Sequence, residues 1–350
     1  MSIPPTESWS LLQGSLVFLV CAAIIAIAGT RITRVVDQLA DRTGIGEAAA
    51  GALLLGASTS MGGSVLSVTA AWHGNVELAV SNALGGIAVQ TFFLAVADMV
   101  YRRSNLEHAA ASVPNMMHNG LLICLLALIL FAPYLPDVTV GGIHPITPVL
   151  LAVYFYGIYL VRQASQSPMW RPSVTRETRE DTPDDVTEMP PLSRLWVEFL
   201  ILMAILGIAG WSLEPAATAI AGQTNLTQTV VGVLLTSVST SIPELVTSIA
   251  AVRRGALTLA VGGIIGGNAF DTLFTAASDI AYREGSIYHA MPEDSKFWVV
   301  LTLLMSGILM MGLIRREREG IGKIGMESTV IMALYVFGVV MLLSGIQASG

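Results

Sequence analysis

Charged residues are scarce in this chain. Only 12% of its 350 residues are Asp, Glu, Lys or Arg, whereas water-soluble domains carry about a quarter. Hydrophobic residues make up 53%, and the mean hydropathy is +0.68. The few charges cluster between long uncharged stretches that an aqueous surface does not accommodate. The composition therefore excludes a soluble two-domain protein and indicates a polytopic membrane protein.

Cysteine and clustered basic residues are also lacking. Cys21 and Cys124 are the only cysteines, and each lies inside an apolar stretch, so neither a disulfide framework nor a zinc site is indicated. No stretch forms a basic face suited to nucleic acid, which is therefore not expected as a partner. The first ten residues hold no Lys or Arg. We therefore expect no cleavable signal and interpret the first apolar run as a membrane span.

Ten apolar stretches are long enough to cross a bilayer, which requires about 20 residues each. All are predicted to be helices, because a lipid-facing segment must satisfy its own backbone hydrogen bonds. The segment 31–42 is predicted to be a separate, short amphipathic helix. The predicted spans are 9–30, 47–72, 76–100, 113–134, 144–161, 194–213, 226–252, 256–281, 296–314 and 327–347.

The distribution of Lys and Arg predicts the orientation, since cytoplasmic loops are enriched in both. The segments after spans one, three, five, seven and nine hold 15 of the 18 positive residues, and a sixteenth, Arg194, directly follows one of them. Both termini are therefore expected on the outside.

Residues 162–193 contain five prolines, four arginines and six acids, a composition that predicts a hydrophilic cytoplasmic linker.

The chain contains an internal repeat. Residues 51–102 match residues 232–283 without a gap at a constant offset of 181, and 22 of the 52 positions are identical. The matches include a Ser-Thr-Ser run at 58–60 and 239–241. Helical apolar composition alone does not produce such a match, so the repeat predicts a duplicated structural unit.

The repeat predicts an all-α polytopic membrane protein with ten transmembrane helices in two five-helix halves. These are residues 1–161 and 194–350, joined by the linker. Because five is odd, the second half enters the membrane the other way up. Inverted halves are typical of secondary transporters, whose sites lie near the bilayer midplane where the repeats meet.

Two acids are predicted to lie near that midplane. Glu244 follows Pro243, which lacks an N–H and predicts a helix break at 240–243. Asp271 ends the glycine-rich stretch 262–271. A charged side chain at the centre of a membrane helix costs at least about 2.5 kcal/mol, so such acids usually mark an ion pathway.

A cation is the expected partner of these acids, because no Lys or Arg is predicted at that depth. Carboxylate, hydroxyl and carbonyl oxygens are the ligands that hard cations such as Ca²⁺ or Na⁺ prefer. Protonated carboxyl groups with a structural role are the alternative. Five other acids are predicted at span ends, within reach of water or of Arg: Glu47, Glu77, Asp98, Glu198 and Asp279.

The segments STSIPELVTSIAAVRRG (239–255) and LAVGGIIGGNAFDTLF (259–274) resemble the second alpha repeat of the sodium/calcium exchanger superfamily of cation antiporters. The resemblance extends over both repeats and the ten-helix plan. It implies alternating access, with inorganic cations held at the centre by both repeats. It implies no catalytic chemistry and no cofactor besides the transported cations.

The resemblance also implies a role for each matching residue. Glu244 is expected to be the bridging carboxylate and Asp271 the second acid, and these two would hold the metal ion. Thr240 is expected to supply a backbone carbonyl and Ser241 a hydroxyl. The remaining residues assigned to the cation site are Thr59, Ser60, Gln90 and Asn268.

The first repeat departs from the family pattern. Gly62 and Gly63 replace its Pro-Glu pair, although they still permit a helix break, and Gln90 stands opposite Asp271. Two carboxylates remain where the family commonly gathers three, so altered selectivity or fewer coupled ions are expected. The expected function is exchange of Ca²⁺ against Na⁺ or H⁺. The alternatives are transport of a monovalent cation or protons, and a non-transporting membrane scaffold.

Overall fold

The structure is a computed structural model that describes residues 9–43, 56–101, 104–170, 173, 190–317 and 324–345. Within these residues it is helical, apart from loops and one isolated bridge between Val140 and Ile143. The long helices are α1 (Leu11–Thr43), α2 (Met61–Trp72), α3 (Val76–Tyr101), α4 (Val113–Phe131), α5 (Ile146–Gln166), α6 (Leu192–Gln223), α7 (Ser237–Arg254), α8 (Leu257–Ala281), α9 (Glu293–Arg315) and α10 (Met326–Ser344).

Nine helical segments in the described part of the chain are long and apolar enough to cross a membrane. The exception is α2, which has 12 residues and follows a short helix, Gly56–Thr59. The predicted second span began at residue 47, and its first nine residues, 47–55, lie outside the described residues, as does Glu47. The polytopic membrane fold is thus confirmed, whereas the division into two inverted five-helix halves stays a prediction.

Both helices that flank the predicted linker are longer than expected. Helix α5 continues to Gln166, and α6 begins at Leu192. Of the linker itself, residues 171–172 and 174–189 lie outside the described residues.

Helix α1 is continuous from Leu11 to Thr43, so the prediction of a separate helix at 31–42 is wrong. The segment forms the last turns of α1, because neither Pro nor Gly interrupts residues 30–43. Its amphipathic character is confirmed. The buried apolar side chains on this part of α1 are Ile32, Val35, Val36 and Leu39.

Helices α3 and α8 form the centre of the molecule, and α1 and α6 lie at its periphery. In the most apolar stretch of each helix, the buried share is 78% in α3 and 67% in α8. The corresponding share is 28% in α1 and 22% in α6. Helix α1 packs along α6 and against α7, while α6 also packs against α2. The peripheral pair therefore contacts α2, which follows the first Ser-Thr-Ser run, and α7, which contains the second.

Two glycines make the closest of these contacts. Gly29 of α1 lies against the ring of Pro243 in α7, and Gly210 of α6 lies against the backbone of Gly62 in α2. A Cβ atom at either glycine would overlap its neighbour. The two contacts correspond at the repeat offset of 181, since residue 29 maps onto 210 and residue 62 onto 243. We call them the glycine contacts.

The helix break predicted at 240–243 is wrong, because Pro243 lies inside the unbroken helix α7. Proline removes only one backbone donor, and α7 is packed against α1, α3 and α8, which hold it in place. The irregularity lies upstream, where Val231–Thr236 form a π-helix, a feature often found at functional sites. In the first repeat the chain does break, at Ser60, between Gly56–Thr59 and α2.

Asp98 and Asp279 are not accessible to water as predicted, and neither forms an ion pair with Arg among the described residues. Both side chains are fully buried. Asp98 accepts hydrogen bonds from backbone N–H groups, and so does Asp279. Satisfied backbone donors explain how a carboxylate is tolerated in the interior at these helix ends.

Candidate functional site

Residues of both repeats meet around two buried carboxyl groups. Glu244 of α7 is 5% exposed and Asp271 of α8 is 2% exposed. The Ser60 hydroxyl donates to Glu244 Oε1 at 3.3 Å. Gln90 Nε2 of α3 donates to Asp271 Oδ2 at 2.6 Å and to Ser241 Oγ at 3.3 Å. Five of the eight residues assigned from the sequence are thus joined directly.

The other three assigned residues adjoin this cluster and are buried. Thr59 directly precedes Ser60, and Thr240 directly precedes Ser241. The Thr240 hydroxyl donates back to the Ser237 carbonyl at 3.2 Å. Asn268 lies one turn before Asp271, and its Nδ2 donates to Thr91 Oγ1 of α3 at 3.0 Å. The Thr59 side chain hydrogen-bonds to Glu244. Among the described residues, the side-chain hydrogen bonds of Thr240 and Asn268 go to neighbours of the cluster and not to either acid.

Several buried oxygen atoms in the cluster accept no hydrogen bond from any described residue. They are Gln90 Oε1, Glu244 Oε2, Asn268 Oδ1 and Asp271 Oδ1. An unsatisfied buried acceptor costs about 1–3 kcal/mol, and more if it is charged. Within the described residues, neither carboxyl group forms an ion pair with Lys, Arg or His. Oxygen acceptors that converge without donors are an arrangement that a hard cation satisfies.

The space beside Gly63 is bounded by aromatic and polar side chains. A Cβ atom at Gly63 would lie 3.3 Å from the ring of Phe274 and 3.4 Å from Thr240 Oγ1. Asn82 Nδ2 donates to the Gly63 carbonyl at 3.1 Å. Gly63 corresponds to Glu244 at the repeat offset of 181. Its position thus points toward the site without carrying a charge. Phe274 and Asn82 were not predicted as neighbours of the site.

Glu214 is a buried acid that sequence analysis missed. It is 4% exposed in α6, and its Oε2 lies 3.3 Å from Nδ1 of His73. The predicted sixth span ended at residue 213, which placed Glu214 in a loop. The helix instead continues through Pro215 to Gln223, and the apolar run after Pro215 was the signal for it. In the described residues no bond joins Glu214 to the site acids.

Comparison with known proteins covers most of the chain. The family model described as "Sodium/calcium exchanger protein" matches residues 14–164 and 194–344. The inner membrane protein YrbG of Escherichia coli (strain K12) is 25% identical over 283 residues, which are 79% of this chain and 82% of that protein. The putative antiporter CaxA of Alkalimonas amylolytica is 25% identical over 257 residues, covering 72% and 76% respectively.

Solved structures share the fold. The H⁺/Ca²⁺ exchanger CAX aligns with a TM-score of 0.67 at 15% identity, over 94% of this chain and 82% of that one. The sodium-calcium exchanger NCX_Mj, soaked with 10 mM Na⁺, aligns with a TM-score of 0.61 at 17% identity, over 95% and 99%. Because the family model matches most of the chain, including the segment that carries both buried acids, the chain belongs to the sodium/calcium exchanger protein family and is a membrane cation antiporter.

Proposed function

We propose that Glu244 and Asp271 bind the transported cation and that the protein exchanges Ca²⁺ against Na⁺ or H⁺ by alternating access. The observation that carries the proposal is the set of donor-free oxygens around two buried carboxyl groups. Gln90 and Asn268 contribute two of these oxygens from amide groups, and Glu244 and Asp271 contribute the other two. Carboxylate and amide oxygens are ligands of Ca²⁺ in many proteins.

The charge of the site supports a divalent cation balanced by two monovalent ones. Two ionised carboxylates are neutralised by one Ca²⁺. The same pair is neutralised by two H⁺, one on each carboxyl group, or by two Na⁺. Within the described residues, no group of three His, Cys, Asp or Glu side chains could hold a metal ion. The site therefore relies on uncharged oxygens to complete the coordination, which favours weak binding and rapid release.

Transport of a monovalent cation is the second candidate. Gln90 occupies the position opposite Asp271 and directs an N–H group, not a negative charge, at its carboxyl oxygen. A site with less negative charge discriminates less strongly in favour of Ca²⁺.

We further propose that both termini face the outside and that the protein carries out no covalent chemistry.

Flux measurements test the proposal. Purified protein is reconstituted into liposomes, and ⁴⁵Ca²⁺ uptake is measured under an imposed Na⁺ gradient and then under an imposed pH gradient. We expect Glu244→Gln and Asp271→Asn each to reduce uptake by more than tenfold. Glu293→Gln is the matched control, because Glu293 is exposed and pairs only with nearby Lys296. Unchanged uptake in both site variants would contradict the assignment, and the gradient that drives uptake identifies the counter-ion.

A further inference from the structure

Asp98 ties the end of α3 to the start of α10. Its Oδ1 accepts a hydrogen bond from the Leu106 N–H at 2.6 Å, and its Oδ2 accepts one from the Gly325 N–H at 2.8 Å. Leu106 begins the short helix Leu106–Ala109, and Gly325 directly precedes α10. One carboxyl group thus holds three segments together. We call this set of contacts the first clasp.

Asp279 builds the same arrangement elsewhere in the molecule. Its Oδ1 accepts from the Ile287 N–H at 3.2 Å, and its Oδ2 accepts from the His144 N–H at 2.9 Å. Asp279 and Ile287 each lie 181 residues after their counterparts in the first clasp, and His144 lies 181 residues before Gly325. We call this set the second clasp.

The histidines of the two clasps correspond as well. His108 Nδ1 lies 2.6 Å from the carbonyl oxygen of Arg316, and His289 Nε2 lies 2.9 Å from the carbonyl oxygen of Leu135. Both pairs map onto each other at the same offset of 181. The two clasps therefore share their carboxylate, their backbone donors and their histidine contact.

One member differs in chemistry. In the second clasp the Thr147 hydroxyl lies 2.9 Å from the hydroxyl of Tyr288. In the first clasp the corresponding Ser328 hydroxyl donates to Oε1 of Glu107 at 2.6 Å. Burial raises the pKa of the Tyr288 phenol, so that group is neutral at physiological pH. Tyr288 corresponds to Glu107 at the offset of 181. The second clasp thus has a neutral hydroxyl where the first clasp has a carboxyl group.

Glu107 is enclosed next to other acids. It is 3% exposed, and its Oε2 has no hydrogen-bond partner within the part of the chain that the structure describes. A Cβ atom placed on Gly325 would lie 2.8 Å from this oxygen and 3.4 Å from Asp98 Oδ2, so the two carboxyl groups converge on one point. An ionised Glu107 would therefore face the charge of Asp98, with the Ser328 hydroxyl and a backbone N–H as the donors that compensate it among the described residues.

Among the described residues, the remaining charged groups near the clasp do not neutralise Glu107. Glu327 of α10 is a further acid, and it lies 3.8 Å from Arg315 of α9, which balances it. His108, on the short helix itself, and Arg316 bond to backbone carbonyls. Residues 257–268 of α8, which also packs against the short helix, contain no titratable side chain.

We propose that Glu107 is a proton-binding site separate from the cation site, and that its bound proton keeps the first clasp closed. When Oε2 carries the proton, this atom donates toward the Asp98 carboxylate. Release of the proton places two negative charges side by side and weakens the attachment of α10 to α3. Asp98 lies eight residues after Gln90 on α3, about 12 Å along the helix, so the clasp is placed to influence the cation site.

The electrostatics of Glu107 agree with this geometry. Burial, and then the charge of Asp98, raise the pKa of Glu107 from its ordinary value of 4.5 to about 7. Because the pKa is higher in the folded protein, the contribution of Glu107 to stability is fully present below about pH 4.5. It is lost as the pH rises through about 7.

Two readouts that do not depend on transport test the proposal. The melting temperature of the detergent-purified full chain is measured from pH 5 to pH 8, and infrared spectra record the band of protonated carboxyl groups. We expect the melting temperature of the unaltered protein to fall across this range and the fall to be smaller in Glu107→Gln. A protonated-carboxyl band that titrates near pH 7 should be missing from this variant. Tyr288→Phe is the control, because it alters the second clasp without removing a titrating group.

A second variant covers the case in which Glu107→Gln does not fold. Ser328→Ala removes the hydroxyl that donates to Glu107 Oε1, so it should shift the infrared titration to higher pH. Identical pH profiles in the unaltered protein and in Glu107→Gln would overturn the proposal. So would a carboxyl band whose titration is unaffected by Ser328→Ala. Neither result bears on whether Glu244 and Asp271 carry the transported cation.

Discussion

At the scale of single residues, Asp271 is hydrogen-bonded to Gln90, its counterpart in the repeat, at 2.6 Å. Gln90 Nε2 donates to one carboxyl oxygen of Asp271. Gln90 Oε1 accepts no hydrogen bond from the described residues. Gln90 therefore stabilises Asp271, and under the proposed function it would offer an uncharged ligand to the transported cation. A carboxylate at this position would keep the ligand oxygen and add a charge.

Gln90→Glu should therefore bind Ca²⁺ more tightly. We expect the dissociation constant to fall by about tenfold or more, equivalent to about 1.4 kcal/mol, because Ca²⁺ affinity rises with the number of charged ligands. Equilibrium ⁴⁵Ca²⁺ binding to the purified protein measures the change. The matched control is Gln223→Glu, the same substitution at an exposed end of α6. Affinity that is unchanged or weaker in Gln90→Glu would show that this position does not contribute a ligand.

The sequence predicted the charged centre of this site but not its walls. Glu244 and Asp271 were identifiable because an acid in an apolar span is costly, and Ser60 and Gln90 because they occupy matching repeat positions. Phe274 and Asn82 carry no such signal, since an aromatic or an amide in a helix has many uses. Their proximity to Gly63 depends on how α2, α3 and α8 pack, which local patterns do not encode.

At the scale of helices, the glycine contacts determine how closely α1 and α6 approach the site helices. Gly29 admits the ring of Pro243, which directly precedes Glu244. A side chain at Gly29 would have to displace that ring and, with it, the backbone next to the carboxyl group. The contact thus connects a peripheral helix to a site residue through one layer of atoms.

Gly29→Ala should destabilise the protein by about 1–3 kcal/mol, the usual cost of overpacking an interior. The measurement is the free energy of unfolding, or the melting temperature, of the purified protein. Gly222→Ala in α6 is the control, because a Cβ atom there meets nothing within 4 Å and alanine favours helix over glycine. Equal stability of the two variants would mean that α1 moves away from α7 at little cost.

Helix positions were largely predictable, and two of the errors have a common origin. Both the break at Pro243 and the separate helix at 31–42 were inferred from local signals. In the structure, neighbouring helices hold the backbone of α7 through a missing donor, and the last turns of α1 bury an apolar face within the molecule. Tertiary packing overrides local preference at both places. The π-helix at Val231–Thr236 has no recognised sequence signature and was not expected.

At the scale of the whole molecule, the asymmetry of positive residues predicts which side each loop faces. Ser10, before α1, and Ser167, after α5, are both exposed. If the termini lie outside, these two positions face opposite sides of the membrane.

Thiol labelling tests this orientation. In a chain whose two native cysteines are replaced by serine, Ser10→Cys should react with an impermeant maleimide added to intact cells. Ser167→Cys should react only after the membrane is opened, because it borders the predicted cytoplasmic linker. The reverse pattern would contradict the orientation and would place the first clasp on the outer side. Labelling of both positions in opened membranes confirms that each cysteine is accessible.

The lipid-facing position of α1 and α6 has a consequence for the membrane environment of the protein. Less than a third of the most apolar stretch of either helix is buried, so their tilt responds to the thickness of the surrounding bilayer. The same two helices touch Pro243 and Gly62 through the glycine contacts. A change in the tilt of either helix would therefore reach the backbone beside Glu244 without passing through a loop. We accordingly expect the exchange rate to depend on the acyl-chain length of the surrounding lipid.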